Sequence, residues 1–332
     1  MRSGHFIRIA GDRSVERLKD LSSPFSLLLV LISFSLHPLG ATAQDFPQKP
    51  IVLYCGQEAG ATTDLTSRAL AKGAEKELGV PVVVENKPGG GFTVAATLLA
   101  NKKPDGYTLA IISSAAFETR HIILKVSYDP FKDFTYIFTY STYPGGICVR
   151  ADSPFKTLQD LIEYARKNPG ALSYSSAGTG GKPHLSVEFL ARQTNVKFKH
   201  VPYKGGAPAC TALIGGHVDF TAGSGIHLNY VQQGILRLLA VLNSEEREPK
   251  FPQIPTLIDL GFKDVPPSYL TLTAPKGLAD PVFKKVESAF KTVAHSPEFR
   301  KVLDNYSLPF VFRDRRQFEA ILSKDYQFYE NI

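Results

Sequence analysis

Short apolar stretches that run through a glycine-rich turn into a helical pattern recur along this chain, and that order leaves few architectures open. Pro50–Cys55 reads as a buried strand and Gly56–Asp64 as a loop with helix-capping chemistry at its end. Leu65, Ala69 and Leu78 recur at helical spacing, and Gly79 ends that element. Val80–Val84 is the next strand, apolar throughout, as parallel strands covered on both faces tend to be. Pro88-Gly-Gly-Gly91 leads into a helix over Phe92–Ala100, and Pro104–Tyr107 turns into the strand Thr108–Ile112. Such successive units predict an α/β fold with mainly parallel sheets.

The pattern changes after the turn-rich stretch Tyr128–Phe134. A strand near Ile147–Val149 marks the first crossing between domains, within 145–153. Thr157-Leu-Gln-Asp160 is a capping-box-like start for the amphipathic helix Leu158–Lys167, which Asn168-Pro-Gly170 stops. Further strands are expected at Phe198–Val201, Val218–Ala222 and Leu236–Leu242, with helices over 184–194, Ala207–Ile214 and 227–234. Tyr269–Thr273 reads as a strand returning to the first domain. Asp280 and Pro281 should cap a helix carrying Val282, Val286 and Val293, and a last helix carries Phe318, Ile321 and Leu322. A length of 332 residues suits two domains. The expected division is 44–146 plus 270–332 for one, discontinuous in sequence, and 147–269 for the other.

Residues 1–43 form a separate case. Arg13, Arg17 and Lys19 precede the apolar run Phe25–Leu36, and the small triplet Ala41-Thr-Ala43 follows, which is the pattern of a secretory signal peptide cut before Gln44. The run is shorter than the ~20 residues a membrane-spanning helix requires. Removing the leader changes 38 basic and 31 acidic residues to 33 and 28, a net charge of +5. That mild excess favours an anionic small molecule, while the scatter of Lys and Arg argues against nucleic acid. Cys55, Cys148 and Cys210 all lie in the exported part and read as buried free thiols. The expected location is the periplasm.

The strongest candidate for chemistry is Leu172–Leu185. Gly178, Gly180 and Gly181 let the backbone approach a ligand, and Pro183 suits the first turn of the helix that follows. Free N–H groups at such a helix start attract an anion. A Walker loop fails here, because Ser176 stands where its first glycine belongs and Pro183 follows Lys182. Pro88-Gly-Gly-Gly91 lacks the dinucleotide spacing and reads as a tight turn. Ala222-Gly-Ser-Gly225 lacks the nucleophile-elbow spacing, and the histidines show no paired ligand spacing, so neither a metal nor a cofactor is expected. His184 is as well suited to capping or packing its helix as to touching a ligand. Asp64 and Arg68 sit four apart as a salt pair, or Asp64 orders the loop Gly60–Thr63 so that its N–H groups face a cleft. Lys204, in Tyr203-Lys-Gly205, can present a cation or be a solvated loop lysine.

A set of motifs then occurs in order. It comprises Pro50-Ile-Val-Leu, a loop ending x-x-Asp64-x-x-x-Arg68, Val82–Gly91, Pro104–Leu109, Tyr128–Phe134, Tyr174-Ser-Ser-x-Gly-x-Gly, His200-Val-Pro-Tyr-Lys-Gly205 with Ala207-Pro-Ala209, and Gly215-Gly-His-Val-Asp219. Together with the export signal it resembles the Bug (TctC-type) extracytoplasmic solute-binding proteins of tripartite tricarboxylate transporters, over essentially the whole mature chain. The resemblance implies a type II periplasmic-binding-protein fold, in which two α/β domains close on a ligand by hinge motion. It implies a ligand, often a carboxylate, held between Gly60, Ala61, Thr62, Thr63 and Asp64 on one side and Ser176, Ala177, Gly178, Thr179, Gly180, Gly181 and His184 on the other. Ser113 and Ser114 complete that set, with Asp219 counted in it. Two departures stand out: Glu58-Ala-Gly-Ala61 replaces the Pro-Gly-Gly of the family's first loop, and Tyr269 stands where tryptophan is common. The expected function is a monomeric, non-catalytic periplasmic receptor for a small organic acid, working with membrane transporter subunits or a sensor kinase. The competing expectation is an exported hydrolase or lyase using Asp64, His184 or Lys204.

Overall fold

The computed structural model describes residues 46–242 and 247–330, so the leader expected over 1–43 lies outside the described residues. Within the described chain, two sheets account for the strands. The first has the order β11-β4-β10-β3-β1-β2, built from β1 (Ile51–Cys55), β2 (Val82–Asn86), β3 (Thr108–Ser113), β4 (Phe134–Thr142), β10 (Tyr269–Pro275) and β11 (Phe310–Asp314). The second has the order β7-β6-β8-β5-β9, built from β5 (Gly145–Arg150), β6 (Ser173–Ser176), β7 (Lys199–Pro202), β8 (Phe220–Ser224) and β9 (Leu236–Leu242). The chain passes from the first sheet to the second at Tyr143-Pro144 and returns between β9 and β10.

The expectation of mainly parallel sheets is corrected in part. β1 pairs parallel with β2 and β3, and β6 pairs parallel with β7 and β8, as the strand-turn-helix units require. β10 and β5, the strands on which the chain changes sheet, pair antiparallel with both of their neighbours. β11 adds an antiparallel edge to β4. A strand that enters a sheet from another layer, rather than by a crossover helix, is not bound to run with its neighbours.

Helices cover the sheets. On the first they are α1 (Thr62–Leu78), α2 (Thr93–Ala100), α3 (Thr119–Ile123), α8 (Asp280–His295), α9 (Pro297–Asn305) and α10 (Arg315–Glu330). On the second they are α4 (Leu158–Lys167), α5 (Lys182–Thr194), α6 (Gly206–Ile214) and α7 (His227–Gln232). The core of the first layer runs through Leu53, Ile111, Phe138, Leu272, Phe290 and Phe318. The second sheet is covered on both faces, with Tyr174, Phe220 and Leu190 in one cluster and Leu213, Leu228 and Leu238 in another. Each fully buried large apolar side chain contributes about 1.5–3 kcal/mol relative to exposure.

Local chemistry explains the helix ends. Thr157 and Asp160 form a reciprocal capping box at α4. Thr157→Ala should lower stability by about 1 kcal/mol, read as a shifted urea midpoint at unchanged slope; no shift would contradict the cap. At α8 the capping residue is Ala279, whose side chain makes no capping bond, and Asp280 occupies the first helical turn with Pro281. The buried stripe of α1 is Thr63, Thr66, Ser67, Leu70, Ala71, Ala74 and Leu78, with Asp64 also buried. Leu65 and Ala69 are only half-buried. The helix is turned from the face expected because Asp64 and Thr66 point their polar groups inward, to the partners described below.

Candidate functional site

Asp64 organises the loop before α1. Its side chain is 2% exposed, and its Oδ2 accepts hydrogen bonds from the Gly60 N–H (2.9 Å) and Arg68 Nε (3.1 Å). Oδ1 accepts from Asn86 Nδ2 at 2.8 Å and faces Arg68 Nη2 at 3.0 Å. Arg68 Nη2 and Asn86 Nδ2 also donate to Asn86 Oδ1 (3.0 Å) and Gln57 O (2.9 Å), which locks the loop to the end of β2. Burial opposes the charge on Asp64, yet the Arg68 guanidinium, the Gly60 N–H and the Asn86 amide hold its carboxyl below the ordinary range. The reading that Asp64 orders Gly60–Thr63 therefore fits the geometry, with one change of direction. The Gly60 N–H points at Asp64, and the Thr63 N–H donates to Gln57 Oε1 at 3.3 Å, so those two groups face inward. Thr63 Oγ1 also meets Tyr143 OH at the crossing, and Thr66 Oγ1 meets Tyr140 OH at 3.1 Å.

The second loop is likewise closed on itself. It follows β6 and ends at Gly181, the N-cap of α5. Gly178 has φ +123° and Gly180 φ +72°, conformations that a side chain strains. The Gly178 N–H donates to Ser176 Oγ (3.3 Å), the Gly180 N–H to His184 Nδ1 (3.3 Å) and the Gly181 N–H to Gly178 O (3.4 Å). All three glycine N–H groups thus have partners within the turn and the helix start. Thr179 in this loop is exposed, and at the helix start the first-turn N–H groups lack intrahelical acceptors.

Behind the loop lies a ring cluster that the sequence did not announce. Ser176 Oγ is 2.7 Å from His200 Nε2, and the His184 and His200 rings lie 4.1 Å apart between centroids. Tyr174 stacks on His200 at 4.8 Å and donates its phenol to Glu188 Oε1 at 2.6 Å. Burial, reinforced by His184, pushes the His200 imidazole down to about 4.

Ser113 and Ser114 serve the crossing strand. Ser113 Oγ lies 3.2 Å from Ser268 Oγ, and Ser114 Oγ accepts from the Tyr269 N–H at 3.0 Å. Both serines are buried. Asp219 is not brought to the other candidates. It pairs with Ser173 at the start of β6, accepting from the Ser173 N–H (2.7 Å) and Oγ (2.9 Å), while Ser176 and the loop stand at the other end of that strand. Lys204 is an exposed loop residue. The residues missed are those between the layers: Thr119 Oγ1 donates to Gly180 O at 2.7 Å, and the buried Lys182 meets Glu118. Cys55, Cys148 and Cys210 are buried free thiols, as their apolar neighbours predicted. Burial pushes Cys55 up to about 11, with the Asp64 charge adding to it, so it is no thiolate nucleophile at neutral pH.

Residues 66–329 match the model of the family described as the tripartite tricarboxylate transporter family receptor. The chain belongs to that family. It is 41% identical over 287 residues to the UPF0065 protein in the gbd 5' region of Cupriavidus necator, covering 86% of this chain and 87% of that one. Among solved structures, the R. palustris protein Rpa4515 with adipate matches at TM-score 0.79 and 26% identity, over 86% of this chain and 97% of that one. MatC from Rhodopseudomonas palustris with bound malate matches at TM-score 0.75 and 25% identity, over 86% and 99%. A solved structure described as the periplasmic binding protein BugD matches at TM-score 0.77 and 29% identity, over 86% of this chain and 96% of that one, and the α/β fold of this chain is the two-domain periplasmic-binding-protein fold. Among the described residues no helix is long and apolar enough to cross a membrane.

Proposed function

We propose that this receptor captures a small organic carboxylate between the loop 57–64 and the loop 176–184. On this reading the two sheet layers are its lobes, with the division 44–146 plus 270–332 against 147–269 moved to the crossings at 143–144 and between β9 and β10, about which they close. What supports the reading is that each layer carries a loop ending at a helix N-terminus, in a chain similar to proteins solved with adipate and malate. Asp64 acts by shaping the first loop, and Thr62, Ala177, Thr179 and His184 supply groups for the ligand. The receptor is exported to the periplasm, acts as a monomer, and passes the bound acid to membrane transporter subunits or reports it to a sensor kinase.

A hydrolytic role has less in its favour. Ser176 and His200 form the one hydroxyl–imidazole contact near the second loop among the described bonds, but the serine is 1% exposed and the histidine is too weak a base near neutral pH. Titration calorimetry of the mature chain against adipate, malate and other small acids tests the proposal. Saturable binding without turnover is expected, and conversion of any bound acid would overturn it.

Gly178→Val should weaken that binding at least tenfold, because φ +123° cannot hold a branched side chain without rebuilding the turn. Affinity equal to the parent, with the fold intact by circular dichroism, would exclude this loop from the site.

A further inference from the structure

The two layers share a buried charged cluster beside the second loop. Lys182, the first residue of α5, has a side chain that is 0% exposed, as has that of Glu118, while that of Asp325 on α10 is 7% exposed. Lys182 Nζ meets Glu118 Oε2, lies 3.8 Å from Asp325 Oδ2 and donates to Pro267 O at 2.6 Å. Lys182 belongs to the five-stranded layer and both carboxylates to the six-stranded one. Pro267 lies on the return crossing. Two carboxylates against one ammonium leave an excess negative charge, and Glu118 Oε1 and Asp325 Oδ2 receive no hydrogen bond. An uncompensated buried charge of this kind is resolved most simply by a proton.

We propose that Lys182, Glu118 and Asp325 form a proton-linked latch between the lobes, closed with the Asp325 carboxyl protonated and released when the lobes part. The proposal rests on the hinge closure put forward above. On opening, Lys182 leaves with its own lobe and water reaches both carboxylates. The titratable groups facing the cluster from neighbouring elements are Tyr136 on β4, Asp264 on the return segment, and Lys324 and Tyr329 on α10; Tyr329 lies 5.3 Å from Lys182 Nζ at its ring centroid. Burial pushes the Asp325 carboxyl up to about 7, with Lys182 pulling it down and Glu118 pushing it up. Exposure on opening removes the burial effect, so the carboxyl returns toward its ordinary value of about 3.9. The closed form therefore has the higher affinity for the proton. Closure is fully favoured below the open-state value, weakens by up to about tenfold per pH unit between the two values, and stays weak above about 7.

The test uses the ligand-free mature protein labelled at Lys103→Cys and Lys199→Cys, exposed positions on the two lobes, with energy transfer read from pH 6 to 8. The expected result is a closed population that falls across this range. Asp325→Asn should hold it constant, and Lys182→Met should lower it at every pH while circular dichroism shows an intact fold. An unchanged pH response in Asp325→Asn, or a parent-like closed population in Lys182→Met, would overturn the latch. If adipate or malate shifts the transfer but pH and the variants do not, the latch fails and the hinge stands. If none of these moves it, the hinge reading fails too.

Discussion

Asp64→Ala is expected to lower the unfolding free energy by about 2–3 kcal/mol and to weaken ligand binding more than tenfold. The carboxylate receives the Gly60 N–H, the Asn86 amide and two contacts from Arg68 while 2% exposed, so its removal strands several donors at once. Each buried donor left without a partner costs about 1–3 kcal/mol. The Arg68 share is smaller, because that side chain is 49% exposed and its pair is screened by water. Arg68→Ala should therefore cost less than about 1 kcal/mol. Urea unfolding of both variants, with calorimetric titration of the acid that binds the parent, measures the contrast. Equal losses in the two variants would show that the ion pair, and not the loop, is what Asp64 supports.

Acidification from pH 7 to 5 is expected to remove about 2 kcal/mol of stability through His227 alone. This histidine starts α7 with 0% exposure and no hydrogen bond to either ring nitrogen. Gly146 and Gly223 make room for it: a Cβ on Gly146 would lie 2.5 Å from its Nε2, and one on Gly223 2.4 Å from its Cγ. Burial pushes the imidazole down to about 3, whereas the unfolded chain binds the proton near 6.5. The unfolded state thus holds more protons between these values. The contribution is fully present above about 6.5 and is lost as pH falls. Asp325 and Glu248, whose carboxyls burial pushes up, act in the opposite direction, so the comparison must be made between parent and variant. His227→Leu should be about 2 kcal/mol more stable than the parent at pH 5 and close to it at pH 8. A constant difference across that range would mean that His227 is not the titrating group.

The parts of the fold legible in the sequence are those set by local pattern. The apolar runs of β1, β2 and β3, the glycine ending α1 and the capping box of α4 all depend on residues a few positions apart. β11 carries little local signal, since it is a five-residue edge with Arg313 and Asp314 in its last two places and half-buried throughout. The antiparallel pairing of β5 and β10 follows from where the chain changes sheet, which no local pattern encodes. At the site, the i,i+4 relation of Asp64 and Arg68 was readable, but the inward turn of Asp64 depends on Asn86 across the sheet. Lys182, beside a proline at a helix start, enters the sequence reading only as a residue that excludes a Walker loop. Its burial depends on Glu118 and Asp325, distant in sequence, and it becomes visible only when the layers are assembled. Asp219 shows the reverse: a residue singled out by its motif stands at the far end of the strand, tying β6 to β8.

Hydrogen exchange of the mature chain with and without a saturating dicarboxylate shows which backbone N–H groups the ligand covers. A site between the two loops requires that ligand slow exchange in both 57–64 and 176–184, one loop from each lobe. Saturable binding that protects neither loop, or protects only one of them, would contradict it.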